Sequence, residues 1–588
     1  MAQGTRSRPA ARWLPAALGS TLTVLGAAAA CSADDSAEMS DGASTGGGFG
    51  AGATSSTGGA SALPNTGGTG GTAGDPLPPE TEVPIEFERP HAGQRYVYVA
   101  NPNSDSVAII DATTLAIETV EAGDEPRYLE TLGDEDAALV LNLGSADLTW
   151  IRTTNGTSTT RQIPVLPGSN ALAVSPDGRH ALVYVDAARV GAGVSTGSFQ
   201  DVSVIALGDQ EAERTDLTIG FRPSRVFFSE DGARALIVTD DGISVLDFEA
   251  IASKSAGIAP TLPLVDVTEP SALDVSVTAD GRYAVTRQPA ANTLRLLEIA
   301  SGESTVLDVA ALLPAASTEP EPDPDAGSDG GVLDPGAEPP ASAGGLVTDL
   351  DLTSAGDVAV AAVRDRGRLL KIPVPEGFSD PELVEVFEVS DVVAGSITLT
   401  PAADRALVYT TADLSAERIA VVDLSTGTTD ALLDLRKSVA AVAIAPDASS
   451  ALVLHQRVPG NPGDPGLSFD EQVDRSPGYS LVSLEAGFAK KLQLTAEPPG
   501  PFTIVPDNSS VFLLFGGQAR EVHRANLDNF IVDRVALGSL PLSIGAVPQS
   551  ERVFVGQEHP DGRITFIDWN SLALKSVTGF ELNSRIRE

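Results

Sequence analysis

Five histidines, one cysteine and an acidic block around Asp323 are the side chains of this 588-residue sequence best suited to hold a metal, move a proton or carry a covalent group. The histidines are His91, His180, His455, His523 and His559, and no two of them form an HxH or HxxxH pair. A zinc or general-base site needs two or three such side chains to converge. Any site built from these must therefore be assembled from separate loops. His91 and His180 fall at turn positions, where a solvated histidine is expected. The acidic block, with Glu319, Glu321, Asp323, Asp325 and Asp329, offers the oxygen ligands that Ca²⁺ prefers. Its spacing departs from the EF-hand, because Gly327 takes the third ligand position, and it reads as a solvated loop. No GxSxG elbow, HExxH helix, phosphate loop or GxGxxG between a strand and a helix is present. This reading names no catalytic residue, no metal ligand and no cofactor.

Cys31 is the single cysteine, so no intramolecular disulfide and no CxxC zinc site can form. It follows Arg6, Arg8 and Arg12 and the mostly apolar stretch from Trp13 to Ala30, the anatomy of a secretory signal over residues 1–30. The run Leu25-Gly26-Ala27-Ala28-Ala29-Ala30-Cys31 resembles a bacterial lipobox, with Ala28 where leucine is commonest. The resemblance implies lipidation of Cys31 and a membrane anchor. Ser32 after that cysteine resembles the outer-membrane sorting pattern of some Gram-negative lipoproteins. Nothing beyond Cys31 approaches 18 consecutive apolar residues.

Residues 31–83 are Gly, Ser, Thr, Ala and Asp with almost no large apolar side chains, too few to offset the entropy of ordering a chain. We expect a disordered tether reaching on the order of 35 to 40 Å from the membrane. The net charge is −42, from 80 acidic against 38 basic residues. Such a balance repels nucleic acid and anionic headgroups, so no nucleic-acid partner is expected.

From residue 84 the chain becomes short apolar runs separated by turn residues, and one module recurs. Its clearest copy runs from Asn170 through Ser175-Pro-Asp-Gly178 to Val185, and continues with Asp201 to Leu207 and a fourth strand near Leu217 to Ile219. Asp-Gly admits positive φ and lets two strands close tightly. Copies containing Asp231-Gly232 and Asp280-Gly281 keep the glycine. Pro446-Asp447 and Pro506-Asp507 keep only the first half of the turn. Degenerate copies begin near Arg127, Thr348, Ser396 and Leu542, and a first one spans 84–123, making ten. Equivalent prolines 126 and 167 differ by 41, 223 and 270 by 47, and 499 and 541 by 42. A period of about 40 to 50 residues with four strands per unit is the signature of β-propeller blades.

Tyr96-Val-Tyr-Val-Ala-Asn-Pro-Asn-Ser-Asp-Ser-Val-Ala-Ile-Ile-Asp111, followed by Gly123-Asp-Glu-Pro126, resembles the YVTN-type β-propeller repeat of surface-layer and other envelope proteins. It is also similar to the propeller of bacterial lactonases. The resemblance implies an all-β propeller of four-stranded blades over residues 84–588, expected as one closed ring of 7–10 blades. Two Pro-rich runs, 314–345 and a shorter one at 459–477, read as disordered surface insertions. The expected function is a lipid-anchored envelope ectodomain that binds or scaffolds an envelope protein or cell-surface ligand without catalysis. The alternative is a lactonase-like enzyme with a metal-assisted hydrolytic site at the channel mouth.

Overall fold

The computed structural model describes residues 92–580 except 133–135, 191–197, 210, 254–258, 265–273, 289–290, 314–343 and 486–488. The expectations for the signal segment 1–30, for Cys31, for the tether 31–83 and for nearly all of 314–345 lie outside the described residues.

Every strand pairs antiparallel with its sequence neighbour, giving ten sheets that we number as blades 1 to 10. Blades 2 to 10 have four strands each and span 126–164, 171–218, 225–262, 274–308, 347–388, 396–434, 439–494, 499–536 and 541–578. Blade 1 has three described strands within 96–121, and the bridge between Ala92 and Val97 marks the turn that precedes them. Each neighbouring pair of blades shares one apolar cluster. The last of these joins Phe554, Ile564 and Phe566 of blade 10 to Val97, Ala108 and Ile110 of blade 1. The chain is therefore a closed ring of ten blades.

Burial follows strand position. The second strands Ala137–Asn142, Ser450–His455 and Ser510–Phe515 are buried at every residue, because each lies between two strands and two neighbouring blades. Outer strands expose most of their residues, as Thr157–Pro164 does. Fourth strands are consequently polar, and the one in blade 3 is Ala212–Thr218 rather than 217–219. Inner strands pack against the inner strands of adjacent blades and are half-buried. They are also stitched by side chains. The Arg287 guanidinium, 10 % exposed, pairs with Asp274 at 3.0 Å and donates to the Thr348 carbonyl at 2.7 Å. Arg225 of blade 4 reaches the same Asp274 at 3.7 Å, and Thr348 Oγ1 donates to the Gly395 carbonyl at 2.7 Å. Blades 4 to 7 are thus tied in series.

The turn between first and second strands repeats closely. In blade 3 the Asp177 carboxylate accepts from Ser175 Oγ at 2.6 Å and from the Arg179 amide at 3.0 Å, while Gly178 takes φ +68°. Ala403, Ala448 and Asn508 take the same left-handed position in blades 7, 8 and 9, at φ 51°, 58° and 58°. The loss of glycine did not change the turn.

The blade 8 insertion departs from expectation. Residues 459–477 are ordered and contain the helix Phe469–Arg475, opened by a capping box between Ser468 and Glu471. At its other end the buried Lys437 amine donates to the carbonyls of Val473 and Asp474 at 2.8 and 3.0 Å. The same carbonyls accept the Ser476 and Val458 amides at 3.1 and 2.9 Å, so the amine adds a second donor to each at the helix end. Burial pulls the Lys437 ammonium below its ordinary range.

Candidate binding face

The expected histidines divide by blade. His455 ends the second strand of blade 8, is 9 % exposed, and joins two neighbours. Its Nδ1 donates to the Ser438 carbonyl at 3.1 Å, and its Nε2 accepts from Ser480 Oγ at 2.7 Å. In composition this is a Ser–His pair, but Ser480 is 1 % exposed and no substrate reaches it. Other blades explain its purpose. In blades 2, 3 and 4 a third-strand hydroxyl accepts directly from the crossover that enters the blade. Thr149 takes the Gly123 amide at 3.2 Å, Ser203 the Leu166 amide at 3.1 Å, and Ser244 the Gly220 amide at 2.8 Å. In blade 10 Gln557 stands between Thr565 Oγ1 and the Ser539 amide, as His455 does between Ser480 and Ser438. His455 is a longer version of a structural pin. Burial, assisted by the Lys437 charge and opposed by the Ser438 carbonyl, pushes it down to about 4.

His523, 1 % exposed, lies in blade 9 with Tyr479 Oη 3.1 Å from Nδ1, Phe515 edge-on at 4.4 Å, and Glu521 3.3 Å from Nε2. Burial lowers its pKa as well. His180 corrects the sequence reading: it begins a strand rather than a solvated turn, and its ring stacks on Phe248 at 3.9 Å. His559 lies in a blade 10 loop, where its Nδ1 accepts the Asp561 amide at 3.1 Å. His91 lies outside the described residues, as does the acidic block around Asp323. Among the described residues no three His, Cys, Asp or Glu side chains are grouped as metal ligands would be.

The two faces of the ring differ. On one face, the first and second strands of blades 3 to 9 are joined by tight five-residue turns such as 175–179 and 445–449. Its longest connections, 248–260 and 374–384, carry short helices. The opposite face carries the crossovers between blades and the loops between second and third strands. On it lies 456–477, the longest connection that is described throughout. We call this the loop face.

A cavity of about 370 Å³ opens on the loop face of blade 7. The crossover 391–393, the loop 410–417, Arg418 and Asp434 line it, a set of three separated segments that no sequence motif could have joined. Four carboxylates, Asp391, Asp413, Glu417 and Asp434, face one guanidinium. Asp413 is occupied by the amide and hydroxyl of Ser415 at 2.8 and 2.7 Å. The Asp391 and Glu417 carboxylates have no hydrogen-bonding or ion-pair partner among the described residues. Arg436, the nearby cation, is taken by Asp470 at 2.6 Å. Burial, together with the charges of Asp474 and Asp434, raises the Glu417 pKa. Leu414 and Phe469, 44 % and 66 % exposed, stand on loops of the same face in blades 7 and 8.

No family model matches this chain, and no curated protein matches it. Solved structures align with it at low similarity. One is "Dihydro-heme d1 dehydrogenase NirN in complex with DHE", at 14% identity and TM-score 0.37 over 69% of this chain and 81% of that one. Another, a eukaryotic initiation factor, is at 9% identity and TM-score 0.45 over 76% and 96%. A third, the Myceliophteria thermophila Cps50 (Swd1) β-propeller domain, is at 11% and 0.30 over 57% and 93%. Likeness at this level assigns no activity.

Proposed function

We propose that this chain is a lipid-anchored cell-envelope β-propeller, built of YVTN-type repeats, whose loop face binds or scaffolds another envelope component without catalysis. The observation that carries the reading is the asymmetry of the ring. One face carries the crossovers, the loops between second and third strands and the helical connection 456–477, and loops on a rigid scaffold make a binding surface. The other face has little beyond tight turns and two helical connections.

The anchor follows from Cys31 at the end of an apolar stretch, with residues 31–83 as spacer. Two or three acyl chains, each CH₂ contributing about 0.8 kcal/mol, hold such a protein at a membrane. Metabolic labelling with a fatty acid, lost on Cys31→Ala, tests that part. A lactonase-like hydrolase requires a histidine and carboxylates that meet substrate together, whereas His455 and His523 are buried, at 9 % and 1 % exposure. Metal-dependent lactone hydrolysis, abolished by EDTA, would sink the binding reading.

A further inference from the structure

We propose that the blade 7 cavity seats a cationic side chain from a basic peptide segment of a partner protein, with Leu414 and Phe469 offering apolar contacts beside it. This rests on the loop face being a binding surface, and it adds the chemistry of what binds there.

The argument is charge complementarity inside a formed cavity. At about 370 Å³ the space falls within the range of small-ligand sites. Two of its carboxylates, Asp391 and Glu417, have no hydrogen-bonding or ion-pair partner among the described residues; the Arg436 charge acts on Glu417, but its guanidinium pairs with Asp470. The helix Phe469–Arg475 adds Asp470 and Asp474 to the same field, and both act on Glu417 in the direction that disfavours its charge. An entering ammonium or guanidinium relieves that repulsion. An anionic or neutral ligand does not. The helix is held in place by the Lys437 amine, so the charges it carries are fixed before a partner arrives. Exposed leucine and phenylalanine beside a charged pocket suit a peptide that alternates basic and apolar residues.

The test uses the full chain in detergent and a fluorescein-labelled peptide alternating arginine with leucine and glycine, followed by anisotropy. A matched peptide with glutamate for arginine serves as the negative probe. Asp391→Asn combined with Glu417→Gln is compared with Asp528→Asn, an exposed carboxylate in a turn on the opposite face. Thermal melts confirm that all variants remain folded. The expected result is a loss of about fivefold or more in the double variant, little change in Asp528→Asn, and weakening of wild-type binding as salt rises from about 0.05 to 0.5 M. Equal binding by the double variant and the wild type overturns the proposal. So does an equal loss in Asp528→Asn, because the attraction then belongs to the diffuse charge of −42. Cross-linking in intact envelopes separates this proposal from the reading beneath it. A partner captured equally by wild type and double variant removes the cavity as its seat while the binding role stands. A wild type that captures nothing removes the binding role itself.

Discussion

His455 Nε2 lies 2.7 Å from Ser480 Oγ, and the other ring nitrogen bonds the Ser438 carbonyl at 3.1 Å, so one imidazole fastens the crossover entering blade 8 to its third strand. Nδ1 must carry the proton to bond a carbonyl, and burial, which pushes the folded pKa down to about 4, leaves Nε2 unprotonated at neutral pH and able to accept from Ser480. Protonating Nε2 would bury a charge beside Lys437 and turn Ser480 Oγ from donor to acceptor.

The stability of the ring should therefore depend on pH. The folded His455 pKa of about 4 is below the ordinary 6.5, so the unfolded chain takes up the proton first as pH falls. Its contribution, about 3 kcal/mol, is complete above pH 6.5, declines between 6.5 and about 4, and falls no further below that. Asp111 occupies a separate window. Burial pushes its carboxyl up, but the Arg95 guanidinium at 2.6 Å and the amides of Thr113 and Thr114 outweigh this and hold it at about 2. Its contribution is lost only as pH falls from the ordinary 3.8 toward 2. Denaturant midpoints from pH 7.5 to 2.5 should show both steps, and a flat profile between 6.5 and 4 would remove the neutral-imidazole assignment.

Replacing His455 should separate the pin from catalysis. His455→Gln places in blade 8 the side chain that blade 10 uses at Gln557, and should cost about 1 kcal/mol or less. His455→Ala leaves a buried hydroxyl without its partner and a small void, and should cost about 2 to 4 kcal/mol. Thermal melts distinguish the two, and equal losses would contradict the equivalence with Gln557.

The turns that lack glycine predict a gain. Ala448 holds φ 58°, where an L side chain costs about 1 kcal/mol or more, so Ala448→Gly should stabilise blade 8 by about 0.5 to 1 kcal/mol. Gly232→Ala, at φ +66° and with its Cβ site 2.7 Å from the Asp177 carboxylate, should destabilise blade 4. Differential scanning calorimetry of the two variants checks both signs.

Blades 10 and 1 form the seam of the ring. Every other neighbouring pair is joined by a covalent crossover, but this pair is held by the Phe554, Ile564 and Phe566 cluster, by the Gln549 amide on the Gln94 carbonyl at 2.9 Å, and by Arg552 on the Ala112 carbonyl. Among the described residues no strand is exchanged across it. Phe566→Ala should cost about 3 to 5 kcal/mol and raise hydrogen exchange chiefly in blades 1 and 10. Leu513→Ala, between covalently joined blades 8 and 9, should have a milder local effect. Equal local exchange in the two variants would show that the seam is no weaker than the other interfaces.

Much of this architecture was legible because blades repeat their own physics. Ser175-Pro-Asp-Gly178 and its copies marked the inner hairpins of blades 3, 4, 5, 8 and 9, and third strands such as Ile419-Ala-Val-Val422 are apolar at every position, as burial on both faces requires. Ten modules and one closed ring were legible too, but only within a range of 7–10 blades, because closure depends on Phe566 meeting Ile110 across most of the chain length. Polarity hid Glu213 to Asp216, half of an outer strand whose side chains face water. Prolines 459, 462 and 465 suggested an unstructured insertion, although Ser468 and Glu471 carried the spacing of a capping box. The cavity was invisible for a simpler reason, since Asp391, Glu417 and Asp434 meet only after the blade has folded.

The most direct test of the central claim is cross-linking capture from intact envelopes, with a photoreactive residue placed at Leu414 on the loop face and, separately, at Asp528 on the opposite face. The account predicts a specific protein partner captured from Leu414 and absent from Asp528. Capture from Asp528 alone, or from neither position, would contradict it.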